Sequence, residues 1–239
     1  MDPTQLAFGF LEYVVFLLST TCHEAAHALV AKWGGDMTAF EGGQVSLNPI
    51  PHLRREIFGM VILPLIGILS GTGLIGYASA PYNPEWSIKY PKRSGLMSLA
   101  GPGANFALAI VAGILMRIGL SAGIFIPGAI SSDGIVQGAS DGAVAGVATI
   151  LSVFFSLNLL LGCFNLLPIP PLDGFGVLGI FTDSAGAVRL LNLRMKLRGF
   201  GMIAGILIAS RLLGYVYGPL LVRGIHLIYL FYRLPHLQP

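Results

Sequence analysis

Two histidines and a glutamate lie close together inside the first long apolar segment of the chain, in the run His23-Glu24-Ala25-Ala26-His27. On a helix, residues four positions apart lie about 40° apart around the axis, so both imidazoles can reach one metal ion. Glu24 lies beside them, where it can take a proton from a water bound to that metal. This pattern is typical of zinc hydrolases. Ionisable groups at membrane depth are costly, which favours a functional site over two core histidines beside a buried acid.

A catalytic zinc usually takes three protein ligands and leaves its fourth position to water, so one more ligand is expected. The best candidate is Asp173, which follows a proline-rich break in the run Asn165-Leu166-Leu167-Pro168-Ile169-Pro170-Pro171-Leu172-Asp173-Gly174. Prolines at this density cannot continue a helix. An acid just past such a break, on the same side of the membrane as the end of the first helix, can reach the metal. The alternative is that Asp173 caps the next helix; the histidine motif favours the ligand.

The remaining histidines and acids are predicted to have ordinary roles. His226 lies on a late apolar helix, where a core or interface position is expected. His52 and His236 lie beside prolines in polar loops, which favours a solvent-facing role. The other loop acids are predicted to be solvated: Asp36, Glu41, Glu56, Glu85, Asp133, Asp141 and Asp183.

The composition is that of a protein with several membrane-spanning segments. Of the 239 residues 54% are apolar and 10% are charged, and the mean hydropathy is +0.77; a soluble domain carries about 25% charged residues. The formal net charge of +3 does not indicate a nucleic-acid partner. Most Lys and Arg residues lie at the ends of apolar segments, as membrane orientation requires, and no nucleic-acid motif is present. We therefore predict an all-α polytopic protein of the lipid bilayer.

Five apolar windows are long enough to span a bilayer: residues 6–33, 57–80, 95–120, 143–164 and 199–234. The last could hold one span or two short spans, so a bundle of about five to six transmembrane helices is expected. Three connections carry basic residues: the one after the first span, the one before the third window and the one after the fourth. These connections are predicted to face the cytoplasm. The connection 121–142 carries two aspartates without Lys or Arg, which predicts an exterior position.

The window 57–80 conflicts with this charge pattern, because basic residues flank it on both sides. It is rich in glycine and contains Pro64, so we predict a re-entrant segment that enters and leaves on the cytoplasmic side; an ordinary span is the alternative. Alternating apolar residues between positions 34 and 51 predict a short β-hairpin at the membrane surface. Residues 1–239 are predicted to form a single membrane-embedded domain, with a catalytic core over about 6–175 and C-terminal helices over about 199–234.

The two motifs resemble the hallmarks of the site-2 protease family of intramembrane zinc metalloproteases. These hallmarks are H-E-x-x-H in one transmembrane helix and an N-x-x-P-x-x-x-L-D-G-like run in a later one. Two further patches are similar to the family: Gly35-Asp36-Met37-Thr38-Ala39 leading into Ser46-Leu47-Asn48-Pro49, and Ala100-Gly101-Pro102-Gly103-Ala104-Asn105. The resemblance covers about residues 20–175 and implies a compact form without a PDZ or CBS domain.

The resemblance implies one zinc ion per chain, held by His23, His27 and Asp173, with Glu24 as general base. It also implies hydrolysis of peptide bonds in transmembrane protein substrates at a cell membrane. Because water must reach the zinc, the site is expected to lie towards the cytoplasm, near the end of the first helix. Asn165 either donates to the developing oxyanion or ties the broken helix end. The alternatives are a membrane metal-ion transporter, which would need several exchangeable ligands and no dedicated base, and a non-catalytic zinc-binding membrane protein. A closed structural zinc site prefers four protein ligands, and three are found here.

Overall fold

The computed structural model describes residues 2–129, 131–197 and 199–230. Helices account for most of this part of the chain. In order, the elements are α1 (Pro3–Gly34), α2 (Thr38–Glu41), α3 (Pro49–Arg55), a π-helical turn (Phe58–Ile62), α4 (Leu63–Ser70), α5 (Pro84–Lys89), α6 (Pro91–Ser121), β1 (Phe125–Pro127), β2 (Val136–Gly138), α7 (Ala143–Asn165), α8 (Asp173–Val177), a 3₁₀ turn (Leu178–Phe181), α9 (Ser184–Lys196) and α10 (Phe200–Tyr229).

Within the described ranges, four helices are long and apolar enough to cross a membrane: α1, α6, α7 and α10. This confirms the all-α polytopic class, with fewer spans than the predicted number of about five to six. The difference has two causes. Residues 57–80 do not form a long helix, and α10 runs without interruption through Pro219, so it provides one span. The end of the last predicted window, residues 231–234, and His236 lie outside the described residues.

The predicted β-hairpin between positions 34 and 51 is wrong, because this stretch contains the short helices α2 and α3. The side chain of Asp36 accepts a hydrogen bond from the backbone N–H of Thr38, and that of Asn48 accepts one from Ile50, each at 3.0 Å. Such side chains at a helix start, with Pro49 following directly, favour helix over strand. A two-stranded sheet lies instead in the 121–142 connection, where β1 and β2 are antiparallel.

Residues 58–80 form a hairpin of helix and extended chain. The helical arm of residues 58–70 rises only about 20 Å, too short for a hydrocarbon core of about 30 Å. The chain then reverses at two glycines of positive φ and returns beside the helix, where the N–H of Tyr77 donates to the carbonyl of Gly59 at 3.0 Å. At the base, the Nε of Arg55 donates to the carbonyl of Ser79 at 3.2 Å. Both ends of the segment therefore lie at the same end of the bundle, as predicted for a re-entrant segment.

The centre of the bundle is α6, which packs against α1, α7, α8 and α10. Between α6, α7 and α10 lies a buried apolar cluster that includes Ala112, Met116, Phe155 and Ile225. Large apolar side chains also cover the outside, as at Ile110, Ile114 and Ile118 of α6. Apolar groups on both the inside and the outside of a helix are expected where lipid is the solvent.

The two ends of the bundle carry different charges. At one end, the carbonyl of Gly34, the last residue of α1, accepts hydrogen bonds from Trp86 and Arg93, so the basic segments around α1, α5 and the start of α6 lie together. At the other end, the hydroxyl of Tyr229 accepts from the N–H of Gly128 at 3.1 Å, which joins the end of α10 to the 121–142 connection. The basic connections after α1 and before α6 thus share one end, and the predicted exterior connection lies at the other.

The hairpin of residues 58–80 depends on close contact between its two arms, which Gly67 permits. A Cβ added at Gly67 would lie 2.2 Å from the carbonyl oxygen of Gly73. We expect Gly67→Ala to lower the free energy of unfolding by about 1–3 kcal/mol, measured as a lower thermal midpoint in detergent. Gly146→Ala is the matched control, because a Cβ there meets open space. An unchanged midpoint for Gly67→Ala would show that the arms are not packed together.

Candidate metal centre

The helix α1 places the two histidines of the motif on one face. His23, Glu24 and His27 are all buried. The Nε2 atoms of the two histidines lie 2.9 Å apart, and their rings meet edge to face at 79°. The helical spacing of four residues produces this approach, as the sequence predicts.

Asp173, the first residue of α8, completes a triangle with the two imidazoles. Its Oδ2 lies 3.0 Å from Nε2 of His23 and 3.3 Å from Nε2 of His27. The three side chains form the one group of potential metal ligands found in the described part of the chain. Two imidazole nitrogens and a carboxylate oxygen are atoms that zinc commonly takes as ligands in proteins.

The proline-rich segment between α7 and α8 carries Asp173 to this position. The peptide between Pro170 and Pro171 is cis, and the guanidinium of Arg194 donates to the carbonyl of Pro171 at 2.8 Å. Gly174 is required directly after the ligand, since a Cβ there would lie 2.2 Å from the carbonyl oxygen of Leu166. Backbone packing and one arginine thus hold the break in the helix in a defined shape.

The other ring nitrogen of each histidine binds a group on α6. Nδ1 of His27 donates to the carbonyl of Met97 at 2.7 Å, and Nδ1 of His23 donates to Oδ1 of Asn105 at 2.6 Å. Because both acceptors require a proton on Nδ1, both Nε2 atoms are left with a free lone pair. This is the usual arrangement of a metal-binding histidine, in which an outer partner sets the tautomer and the ring orientation.

The space in front of the two Nε2 atoms exists because residue 101 is glycine. A Cβ on Gly101 would lie 2.3 Å from Nε2 of His27 and 2.4 Å from Nε2 of His23. Met97, Gly101 and Asn105 are spaced by four residues and so share one face of α6. No role for these three residues is predicted from the sequence. The family-like patch of residues 100–105 was the signal that could have pointed to Gly101 and Asn105.

The three ligand atoms fit a zinc ion. Zinc bonds of about 2.0–2.1 Å at tetrahedral angles place neighbouring ligand atoms about 3.3 Å apart. The observed separations of 2.9, 3.0 and 3.3 Å are close to this value. Lone pairs of two neutral imidazoles and a carboxylate converge on one point, which is favourable only if a cation lies there.

Glu24 is buried beside this group. Its Oε2 has no hydrogen-bond partner in the described part of the chain. A buried acceptor without a partner costs about 1–3 kcal/mol, so such a group is retained where it has a task.

Several of the other sequence predictions are wrong. His52 is buried rather than solvent-facing, and its Nε2 donates to the carbonyl of Ser46 at 2.9 Å. Asp36 is also buried, and it accepts from the N–H of Asn83 at 2.7 Å. Both side chains hydrogen-bond to the backbone of loops around α2 and α3. They are buried because neighbouring segments cover them, so their role is structural. His226 is exposed on α10, so a core position is excluded, whereas an interface position stays a prediction.

Asn165 is the last residue of α7 and is half-buried. Its side chain makes no hydrogen bond within the described residues, to His23, His27 and Asp173 or to others. Its role stays a prediction.

A metal-ligand triangle with a buried glutamate, set in helices of membrane length, defines a class of membrane-embedded metallohydrolases. Comparison with known proteins specifies the family. The model of peptidase family M50 matches residues 11–208, so the chain belongs to this family, the site-2 protease family. The protein is a zinc metalloendopeptidase of the site-2 protease type, and its cofactor is zinc.

Individual relatives agree with this assignment. The chain is 32% identical to YwhC of Bacillus subtilis (strain 168), over 88% of this chain and 85% of the relative. It is 33% identical to Rip2 of Mycobacterium tuberculosis, over 74% of this chain and 60% of the relative. Both relatives are named as candidate zinc metalloproteases. No solved structure matches the chain.

The space at Gly101 yields a test of the metal site. We expect Gly101→Ala to abolish zinc binding, because the added methyl group would occupy the position between the two ring nitrogens. Zinc content of the purified protein measures this directly. Gly103→Ala on the same helix is the control, since a Cβ there meets open space. Full zinc occupancy in Gly101→Ala would place the metal elsewhere.

Proposed function

We propose that this protein hydrolyses peptide bonds of transmembrane substrates within the membrane, with His23, His27 and Asp173 as zinc ligands and Glu24 as general base. The observation that carries the proposal is the position of the site along α1. His27 lies about 10 Å, and His23 about 16 Å, below the end of that helix at Gly34. A soluble peptide has little reason to reach such a depth, whereas a membrane-spanning substrate already resides there.

Bound at this triangle, zinc would supply an activated water and would polarise the scissile carbonyl. Glu24 then serves as the proton carrier of the site. Its free Oε2 can accept the proton of the attacking water and return it to the leaving amine. Burial favours this role, because no bulk water competes for the oxygen.

The exposure of the ligands indicates the side from which the substrate approaches. The Asp173 side chain is 25% exposed, whereas those of His23 and His27 are 8% and 6% exposed. The open side therefore lies towards residues 166–172, where the backbone is not helical. Backbone groups of that segment could pair with an unwound, extended substrate. Asn165, at the end of α7, is placed at the start of this segment, either to donate to the developing oxyanion or to tie the helix end.

The charge distribution supports an active site that faces the cytoplasm of a cell membrane. Basic residues cluster at the bundle end nearer to His27, among them Lys32, Arg54, Arg55, Lys89, Lys92 and Arg93. Loops rich in Lys and Arg stay on the cytoplasmic side during insertion.

Metal transport is the rival function. A transport path needs a series of exchangeable sites, but the described residues contain a single group of possible ligands. Transport also gives no task to the unpartnered oxygen of Glu24. Hydrolysis accounts for both observations.

Replacement of the proposed base separates these functions. We expect Glu24→Gln to lose at least about a hundredfold in cleavage of a membrane-spanning test peptide, because an amide cannot accept the proton. Zinc content should stay near one ion per chain. Glu12→Gln, on the same helix, is the control and should cleave normally. A Glu24→Gln protein that still cleaves would remove Glu24 from the mechanism, and metal flux into vesicles through either variant would favour the transporter.

The proposed orientation is testable by cysteine labelling in intact cells. We expect an impermeant thiol reagent added from outside to label Ser132→Cys, in the 121–142 connection, and to leave Ala187→Cys, in α9, unlabelled. Both sites should be labelled after the cells are opened. Labelling of only Ala187→Cys from outside would invert the orientation.

A further inference from the structure

We propose that Asn105 and Asn158 are positioning residues that set the tautomer of His23, and thereby the zinc affinity of the site, through a hydrogen-bond chain of fixed direction. The inference rests on the proposed role of His23 as a zinc ligand. It assigns a task to two buried amides on α6 and α7 that the hydrolysis described above does not use.

The chain starts at a backbone carbonyl and ends at the imidazole. Nδ2 of Asn158 donates to the carbonyl of Phe154 at 2.9 Å and to the hydroxyl of Ser19 at 2.8 Å. Oδ1 of Asn158 accepts from Nδ2 of Asn105 at 3.0 Å. Oδ1 of Asn105 then accepts from Nδ1 of His23 at 2.6 Å.

The carbonyl of Phe154 sets the donor-to-acceptor direction of this series of hydrogen bonds, because a carbonyl can only accept. The amide group of Asn158 must therefore turn its nitrogen towards Phe154 and its oxygen towards Asn105. That oxygen in turn requires the nitrogen of Asn105, which leaves the oxygen of Asn105 facing His23. Each amide is thus fixed by its predecessor, and the proton of His23 is fixed on Nδ1.

A reversed Asn105 would damage the metal site. Its NH₂ group would face Nδ1 of His23, and the imidazole would then carry its proton on Nε2. A protonated Nε2 cannot bind a metal, so the zinc would compete with that proton for the ligand. The chain prevents this state without any contact to the metal.

Burial of the hydrogen-bonded side chains keeps the direction of these hydrogen bonds fixed. Asn105, Asn158 and Ser19 are each 0% exposed. No water can replace a missing partner at this position, so a reversed amide would leave buried groups unpaired. Stabilisation of helix packing alone does not explain why polar residues lie here, since a polar contact between membrane helices contributes on average only about 0.6 kcal/mol to stability.

The proposal is tested by zinc affinity, measured by chelator competition on the full-length protein in detergent. Asn105→Leu removes the acceptor of His23, and we expect the affinity to fall about 10–100-fold. Asn158→Leu leaves the Asn105 amide free to turn, and we expect a smaller loss in the same direction. Asn105→Asp retains an oxygen towards His23, whether the carboxyl group is ionised or protonated, and we expect a zinc affinity within a few-fold of the original.

The visible spectrum of the Co²⁺-loaded protein provides a second measurement. It should change for Asn105→Leu and be largely restored for Asn105→Asp.

Ser152→Ala is the matched control for general destabilisation. Ser152 is a buried polar residue of α7 that binds the carbonyl of Ala148 and the N–H of Val136, outside the chain to His23. Its replacement should lower the thermal midpoint and leave zinc affinity unchanged. The proposal is overturned if Asn105→Leu binds zinc normally, if Ser152→Ala loses as much affinity, or if Asn105→Asp fares no better than Asn105→Leu. Peptide cleavage is assayed separately: a protein whose zinc affinity depends on Asn105 but which cleaves nothing would contradict the proposed function and leave this inference intact.

Discussion

The convergence of two imidazole nitrogens and one carboxylate oxygen inside a membrane-length helix bundle is the interaction on which the rest of the structure depends. Three lone pairs at this separation repel one another unless a cation lies between them. A metal can bind there only if the two Nε2 atoms carry no proton. The face of α6 meets this requirement, because the carbonyl of Met97 and the amide oxygen of Asn105 hold the protons on the far side of each ring.

Close approach of neighbouring segments is the second condition, and three glycines around the site permit it. Gly101 leaves the space between the ligand nitrogens, Gly174 lets the end of α7 pass beside α8, and Gly205 lets α10 approach the carbonyl of Pro170. Each of these glycines lowers helix propensity. In a membrane, where water does not drive helices together, the gain in packing outweighs that cost.

Non-helical backbone at membrane depth is the third feature, and it occurs at the segment before Asp173 and in the hairpin of residues 58–80. Neither could face lipid with unpaired polar groups. The first is held by α10 and by Arg194, and the second pairs with its own helical arm. The same irregularity exposes one side of Asp173, so the break that positions the ligand also opens the site.

The sequence by itself was sufficient for the membrane class and for the helical spacing of His23 and His27, and it pointed to Asp173 as a candidate third ligand. These features follow from local rules: hydrophobic length, helical period and the inability of proline to continue a helix. It did not predict α2 and α3, since the alternating apolar residues concealed the hydrogen-bonding side chain of Asp36 and the N-cap Asn48. The number of spans, the burial of His52 and the position of Met97, Gly101 and Asn105 beside the two histidines were decided only by the tertiary structure. Their function depends on which helix faces which, and the packing of α1 against α6 is a contact between segments about seventy to eighty residues apart, which no local pattern encodes.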